Sequence, residues 1–205
     1  LELLSLGWLE GQEGDYALLE WEWVVEHSAG LICLTGATEG EIGRLVAVGQ
    51  IEKADAVLDK YHAVFADRLY VELTRVGLSG ETALAHYAVQ SADQRLIPLV
   101  ATNVACFQEA DEFEAHETRV CIHDSVTLDD QRRLHRHTPE QWLKPQDAMA
   151  ELFFDLPDAV ANTIQIAKRC GVELTLGSYF LPEYPVPEGM TLDELFIQYS
   201  HELAF

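Results

Sequence analysis

The sequence predicts an α/β fold built on parallel strands, and three observations point to it. Short apolar runs recur, each closed by a glycine, a threonine or a charged turn. Between them lie segments whose apolar residues repeat at helical spacing. The connections are long enough to return each strand parallel to the last.

The elements follow in order. Residues 1–27 carry the weakest pattern: LEWEWVVEH alternates from Leu19 to Val25 as a strand would, and suits a short amphipathic helix equally well. GLICLTG, Gly30 to Gly36, reads as a buried strand closed by glycine. Glu39 to Gly49 reads as a helix, with acids at its start and glycine after its end. Ile51 to Asp67 places Ile51, Ala54, Val57, Leu58, Tyr61 and Phe65 on one helical face. A strand over Arg68 to Leu73, a helix over Glu81 to Gln94 and a strand over Ile97 to Thr102 complete the alternation. Glu109 to Asp124 is predicted helical, and a polar loop follows. Two more helices flank a break at Pro157, the second beginning at Asp155 or Leu156 with the proline in its first turn. The tail rich in proline and glycine, Leu176 to Met190, reads as extended. A closing helix opens on Thr191 and Glu194, spaced as a capping box.

In folds of this kind chemistry gathers at the carboxyl ends of the strands. The residues to inspect are therefore Thr35 to Thr38, Thr74 to Gly77 and Asn103 to Cys106.

Charge narrows the function classes. Lys and Arg total 13 against 35 Asp and Glu, a net charge of −22. Phosphate contacts supply most duplex affinity, so this chain alone should repel DNA and RNA. Cys33, Cys106, Cys121 and Cys170 form no C-x-x-C pair, and three of them sit in apolar stretches, which favours a reducing, cytoplasmic setting. No apolar run of about 18 residues indicates a membrane span. The chain begins at Leu1, as a fragment would.

Six strings carry a resemblance: GLICLTGATEGEIGR, FADRLYVEL, PLVATNVACF, FEAHETRVCIHDSVTLDD, QWLKPQDAMAELFFDLPDAVANTIQIAKRC and SYFLPEYPVPEGMT. In this order, over about Glu26 to Thr191, they resemble the alpha subunits of bacterial DNA polymerase III, of proteobacterial type. The resemblance implies that residues 28–174 are the C-terminal part of a polymerase and histidinol phosphatase (PHP) domain. That domain is a distorted seven-stranded β/α barrel, whose first strands and opening HxH motif this chain lacks. Residues 1–27 match poorly, and residues 175–205 would lead into the polymerase core. The parent would be a DNA-directed DNA polymerase using Mg²⁺ in a palm beyond Phe205. Its partners would be the proofreading exonuclease subunit epsilon, other holoenzyme subunits, and DNA through the parent rather than through this part.

Metal-binding members of the family place a Cys after the strand matching GLICLTG, and an Asp and a His in ATNDxH. Those positions here are Ala37, Val104 and Cys106. Ala and Val offer a metal no lone pair, and Cys106 alone does not make a site. The expectation is a degenerate, metal-free domain with no catalytic, metal or cofactor residue, kept as a scaffold that docks epsilon. The alternative is a metal-dependent phosphoesterase built from Cys106, histidines and acids in another arrangement. Val104 is read as an apolar plug in the barrel mouth.

His116 and His123 share a helix face, but paired histidine ligands are more often four apart, so both are read as surface or packing. RRLHRH, Arg132 to His137, is read as a solvated loop, and Asp129 and Asp130 before it as turn formers. Glu72 and Arg75 are expected to form a buried ion pair at the strand ends. There is no phosphate-binding glycine loop and no G-x-S-x-G elbow.

Overall fold

A short parallel sheet organises the core of residues 1–170. The computed structural model describes residues 1–14, 16–171, 173, 176–179 and 184–202. The chain divides into two units, Leu1–Cys170 and Gly171–Phe205.

The first unit opens with α1 (Glu2–Leu9), a small antiparallel pair β1 (Gln12–Glu13) and β2 (Tyr16–Ala17), and α2 (Trp21–Glu26). The ambiguous alternation from Leu19 thus resolves as helix. Trp21 decides it: its ring stacks on Tyr61 at 5.3 Å between centroids, and Lys60 Nζ lies 4.0 Å from the Trp21 centroid. Val24 packs on the same core, and positions three apart share a face of a helix but point to opposite faces of a strand.

The central elements are β3 (Cys33–Leu34), α3 (Glu41–Ala47), α4 (Ile51–Phe65), β4 (Leu69–Leu73), α5 (Glu81–Arg95) and β5 (Leu99–Ala101). The strands pair in the order β3-β4-β5, all parallel, with Leu34 beside Tyr70 and Glu72 beside Val100. β4 is the middle strand. Leu69, Tyr70, Val71 and Leu73 are all buried, so it lacks the alternation of a strand with one wet face. Helix α4 contributes Ala54, Leu58 and Phe65 to the core; α5 contributes Leu84, Tyr87, Ala88 and Ala92.

Two expected elements are shorter than the sequence suggests. The strand read over Gly30 to Gly36 pairs only at Cys33 and Leu34. The carbonyls before it are taken elsewhere: Arg68 donates to the oxygens of Ser28 and Leu31. The helix read from Glu39 begins instead as a 3-10 turn, Ala37–Glu39, and restarts at Glu41. Gly40 between them is extended, and a Cβ there would lie 1.8 Å from the Thr35 carbonyl oxygen.

Beyond β5, a 3-10 turn (Ala110–Glu112) with a Glu109–Glu112 capping box leads into α6 (Phe113–Asp124). Residues 125–145 form no helix or strand, apart from a single parallel bridge between Phe107 and Trp142. Then come α7 (Gln146–Leu152) and α8 (Pro157–Arg169), with Leu156 as N-cap and Pro157 at the first helical position, as the sequence indicates. Helix α8 packs along β5, and Asn162 Nδ2 donates to the Leu99 carbonyl at 2.8 Å.

In the second unit, α9 (Leu192–Glu202) carries the predicted capping box. Thr191 N donates to Glu194 Oε2 at 2.9 Å, and Glu194 N to Thr191 Oγ1 at 3.3 Å. Of the expected extended tail, residues 176–179 and 184–190 form no helix or strand, and 180–183 lie outside the described residues, as does the expected boundary at 174/175. Among the described residues the parallel sheet has three strands and does not close into a barrel.

Candidate functional site

The carboxyl ends of β3, β4 and β5 lie side by side because the three strands are parallel and in register. Of the residues marked for inspection, Asn103 and Cys106 bond instead to Trp142 and Gln141, while Thr35, Gly36, Thr74, Val76 and Gly77 join a hydrogen-bonded seam there.

Glu72 is its centre. Its Oε1 accepts from Thr102 Oγ1 at 2.6 Å, and its Oε2 from the Gly36 backbone N–H at 3.0 Å. Thr35 Oγ1 accepts from the Glu72 N–H at 3.0 Å. One carboxylate thus ties the end of β3 and the end of β5 to β4 between them. Glu81, at the first turn of α5, does similar work: it accepts from Thr74 Oγ1 at 2.8 Å and from the backbone N–H groups of Val76 and Gly77 at 3.0 and 2.8 Å. Beside the seam, burial and the Glu72 charge push the Cys33 thiol up to about 11, so it stays protonated and unreactive.

The expected Glu72–Arg75 pair does not form. Arg75 instead makes a two-pronged bridge to Asp155, at 2.6 and 2.8 Å, and donates to the Leu152 carbonyl at 2.7 Å. Its guanidinium lies 4.7 Å from the Phe153 ring centroid. Glu72 has its acceptors filled by neutral donors, while the two-oxygen geometry of Asp155 matches the guanidinium fork. The Arg75 hydrogen bonds hold the Asp155 carboxyl below the usual carboxylate range.

The positions of the family metal ligands fare as follows. Ala37 is buried and its backbone is left-handed, with φ 44°. Val104 is 43% exposed, so it is no plug; the turn after β5 carries it outward. Neither side chain has a donor atom, and Glu72 nearby is already committed to the seam. The residues present do not fit the family's metal cluster.

Cys106 is a different case. It lies in the turn after β5, held by its N–H to the Gln141 carbonyl at 2.7 Å. The fold brings His116 of α6 and His137 of the loop after it to the same place, and one ligand atom from each of the three lies within 4.8 Å of the others. The two imidazoles meet edge to face, with centroids 4.6 Å apart. His116 is also packed on Phe107 at 5.5 Å. Burial, and then the neighbouring His137, lower the pKa of His116. Burial raises that of Cys106.

Behind this cluster stands Glu117, only 4% exposed. Its Oε1 lies 3.1 Å from His137 Nδ1, and its Oε2 accepts from Arg133. The RRLHRH stretch is a largely exposed loop, as expected, with Arg132, Leu134, His135 and Arg136 open to solvent, but Arg133 and His137 turn inward to Glu117. Arg132 bridges to Asp130, Arg133 to Glu117, and Arg136 to Asp124. These arginines are matched by acids and present no free phosphate patch. Asp130 does form the expected turn, accepting from the Arg132 N–H at 2.9 Å. His123, by contrast, is largely exposed and pairs with its neighbour Asp124. Of the four cysteines only Cys121 is buried; Cys33 and Cys106 are partly covered and Cys170 is exposed.

Nothing in the spacing announced the Cys106–His116–His137 group. Its members come from a turn, a helix and a loop, and only the fold closes the distance.

Comparison with known proteins places this geometry. A family profile for the PHP domain matches residues 1–76. The chain is 47% identical over 201 residues to the DNA polymerase III subunit alpha of Pseudomonas aeruginosa, and 46% identical over 201 residues to that of Pseudomonas fluorescens. It is 40% identical over 193 residues to that of Escherichia coli K12. The chain belongs to the DNA polymerase III alpha subunit family. The Pseudomonas matches cover 98% of the chain and 17% of each relative, so the chain spans about a sixth of their length. Both kinds of match take in residues of the 1–27 segment, which the strings quoted above leave out. The helices and small parallel sheet agree with a PHP domain.

Proposed function

We propose that this chain is part of a replicative DNA polymerase III alpha subunit, and that its PHP region has given up phosphoester hydrolysis to serve as a scaffold for the proofreading exonuclease subunit. The three parallel strands would be part of a distorted barrel completed by segments outside this chain. The polypeptide that carries it would act in the cytoplasm as a DNA-directed DNA polymerase, with Mg²⁺ held by palm residues elsewhere.

One observation carries the reading: Ala37 and Val104 stand at the strand ends where the family's metal cluster needs donors. Two others support it. The acid at the strand ends, Glu72, is occupied by hydrogen bonds that hold the sheet, which fits a structural role better than that of a general base. A net charge of −22 favours protein docking over direct contact with DNA. No described helix is long and apolar enough to cross a membrane.

The test is hydrolysis of a phosphomonoester and of single-stranded DNA by the purified protein, freed of exonuclease subunit and supplied with Mn²⁺ or Zn²⁺. The expected result is no turnover above the protein-free rate. Metal-dependent hydrolysis that a chelator abolishes would overturn the reading.

A further inference from the structure

We propose that Cys106, His116 and His137 bind one Zn²⁺ ion, which fastens the turn after β5 to α6 and to the loop that follows it. The site is separate from the family's cluster: only Cys106 stands at one of that cluster's positions, and Ala37 and Val104 contribute nothing to it.

The donor set comes first. One thiolate and two imidazoles suit zinc, whereas Mg²⁺ and Ca²⁺ take oxygen ligands. The geometry is close to closed. Bond lengths of about 2.0–2.3 Å put the donors of a tetrahedral zinc site roughly 3.5 Å apart. Here all three ligand atoms lie within 4.8 Å of one another, so they need move inward by about an ångström.

The surroundings are those of a prepared site. Glu117 occupies Nδ1 of His137 at 3.1 Å, which leaves Nε2 as the ring nitrogen for a metal. Glu117 is itself buried and fixed by Arg133. A carboxylate behind a histidine orients the ring and raises its basicity as a ligand. On the other ring, His116 Nε2 is buried and has no hydrogen-bond partner among the described residues. Buried polar atoms are rarely left so, and a metal ion would satisfy this one. The group supplies three ligand atoms, which leaves the fourth position to water.

The ion would act as a structural clip. Residues 125–145 have almost no backbone ladder of their own, so fixing His137 to Cys106 orders that stretch against the end of β5.

The test uses Co²⁺ as the probe. Purified protein is stripped with a chelator and titrated with Co²⁺, then with Zn²⁺. One Co²⁺ should bind with tetrahedral ligand-field absorption and a thiolate-to-cobalt charge-transfer band, and Zn²⁺ should displace it. Cys106→Ser should remove the charge-transfer band; Cys170→Ser should keep it. His116→Gln and His137→Gln should each weaken binding by more than the roughly 10- to 100-fold expected of Glu117→Gln. Circular dichroism of the stripped variants checks folding. If a histidine variant unfolds, Cys106→Ser decides, because its side chain is partly exposed and its loss leaves the core intact. No charge-transfer band in folded wild-type protein would overturn the proposal, as would a band that survives Cys106→Ser.

Discussion

At the scale of single residues, two carboxylates show how acids near strand ends can serve structure. Glu72 accepts from a threonine and a backbone N–H on two neighbouring strands. Hydrogen bonds to a charged acceptor contribute more than neutral ones, so Glu72→Ala should cost about 2–3 kcal/mol, read from the urea midpoint at unchanged slope. A double-mutant cycle with Thr102→Val should show coupling of about 1 kcal/mol. Asp155 makes a pH-dependent contribution. Its pairing with Arg75 depresses its folded pKa, so the stabilisation is present above the unfolded value of about 3.9 and fades as pH falls through the lower folded value. Asp155→Asn should therefore lower the urea midpoint by a constant amount from neutral pH down to about pH 4, with the difference shrinking below that. Both groups are solvent-touched, so salt should reduce the effect. A third residue, Glu117, holds Arg133 and His137 from a buried position. Glu117→Ala would leave a buried guanidinium uncompensated and should cost about 3–5 kcal/mol in thermal or urea unfolding.

At the scale of elements, legibility followed the source of each element's stability. Helices α4 and α5 and strand β4 were readable because their own apolar residues fill the core: Leu58 and Val71 are fully buried. Strand β3 was over-read because its ends depend on Arg68, a residue more than thirty positions away. The break before α3 was hidden because Gly40 is required by a tertiary contact rather than by local preference. A similar contact fixes Gly43, where a Cβ would lie 2.1 Å from the Ala37 carbonyl oxygen. Gly43→Ala should thus destabilise the fold by at least 1–3 kcal/mol, although alanine is the better helix former. The opposite sign in a urea titration would mean that the 3-10 turn and α3 are not packed as described. The candidate site divides along the same line. Ala37, Val104 and Cys106 were identifiable from strand ends and motif, whereas His137 and Glu117 were not. Their partners lie across a loop with no periodicity, and no sequence signal encodes that meeting.

At the scale of the whole molecule, Glu72 ties the strand ends together, and Ala37 and Val104 bring no side-chain donor atom to them. The described arginines of the RRLHRH stretch are paired with acids, and the net charge is −22. The chain should accordingly show no tight binding to duplex DNA at physiological salt in a fluorescence titration. The proposed docking role would fall to its outer surface. The most direct measurement is a calorimetric titration of the purified protein with the proofreading exonuclease subunit. The account predicts a one-to-one complex with a dissociation constant of about 1 μM or tighter, equivalent to roughly 8 kcal/mol or more. Folded protein that shows no heat and no complex across that concentration range would contradict it.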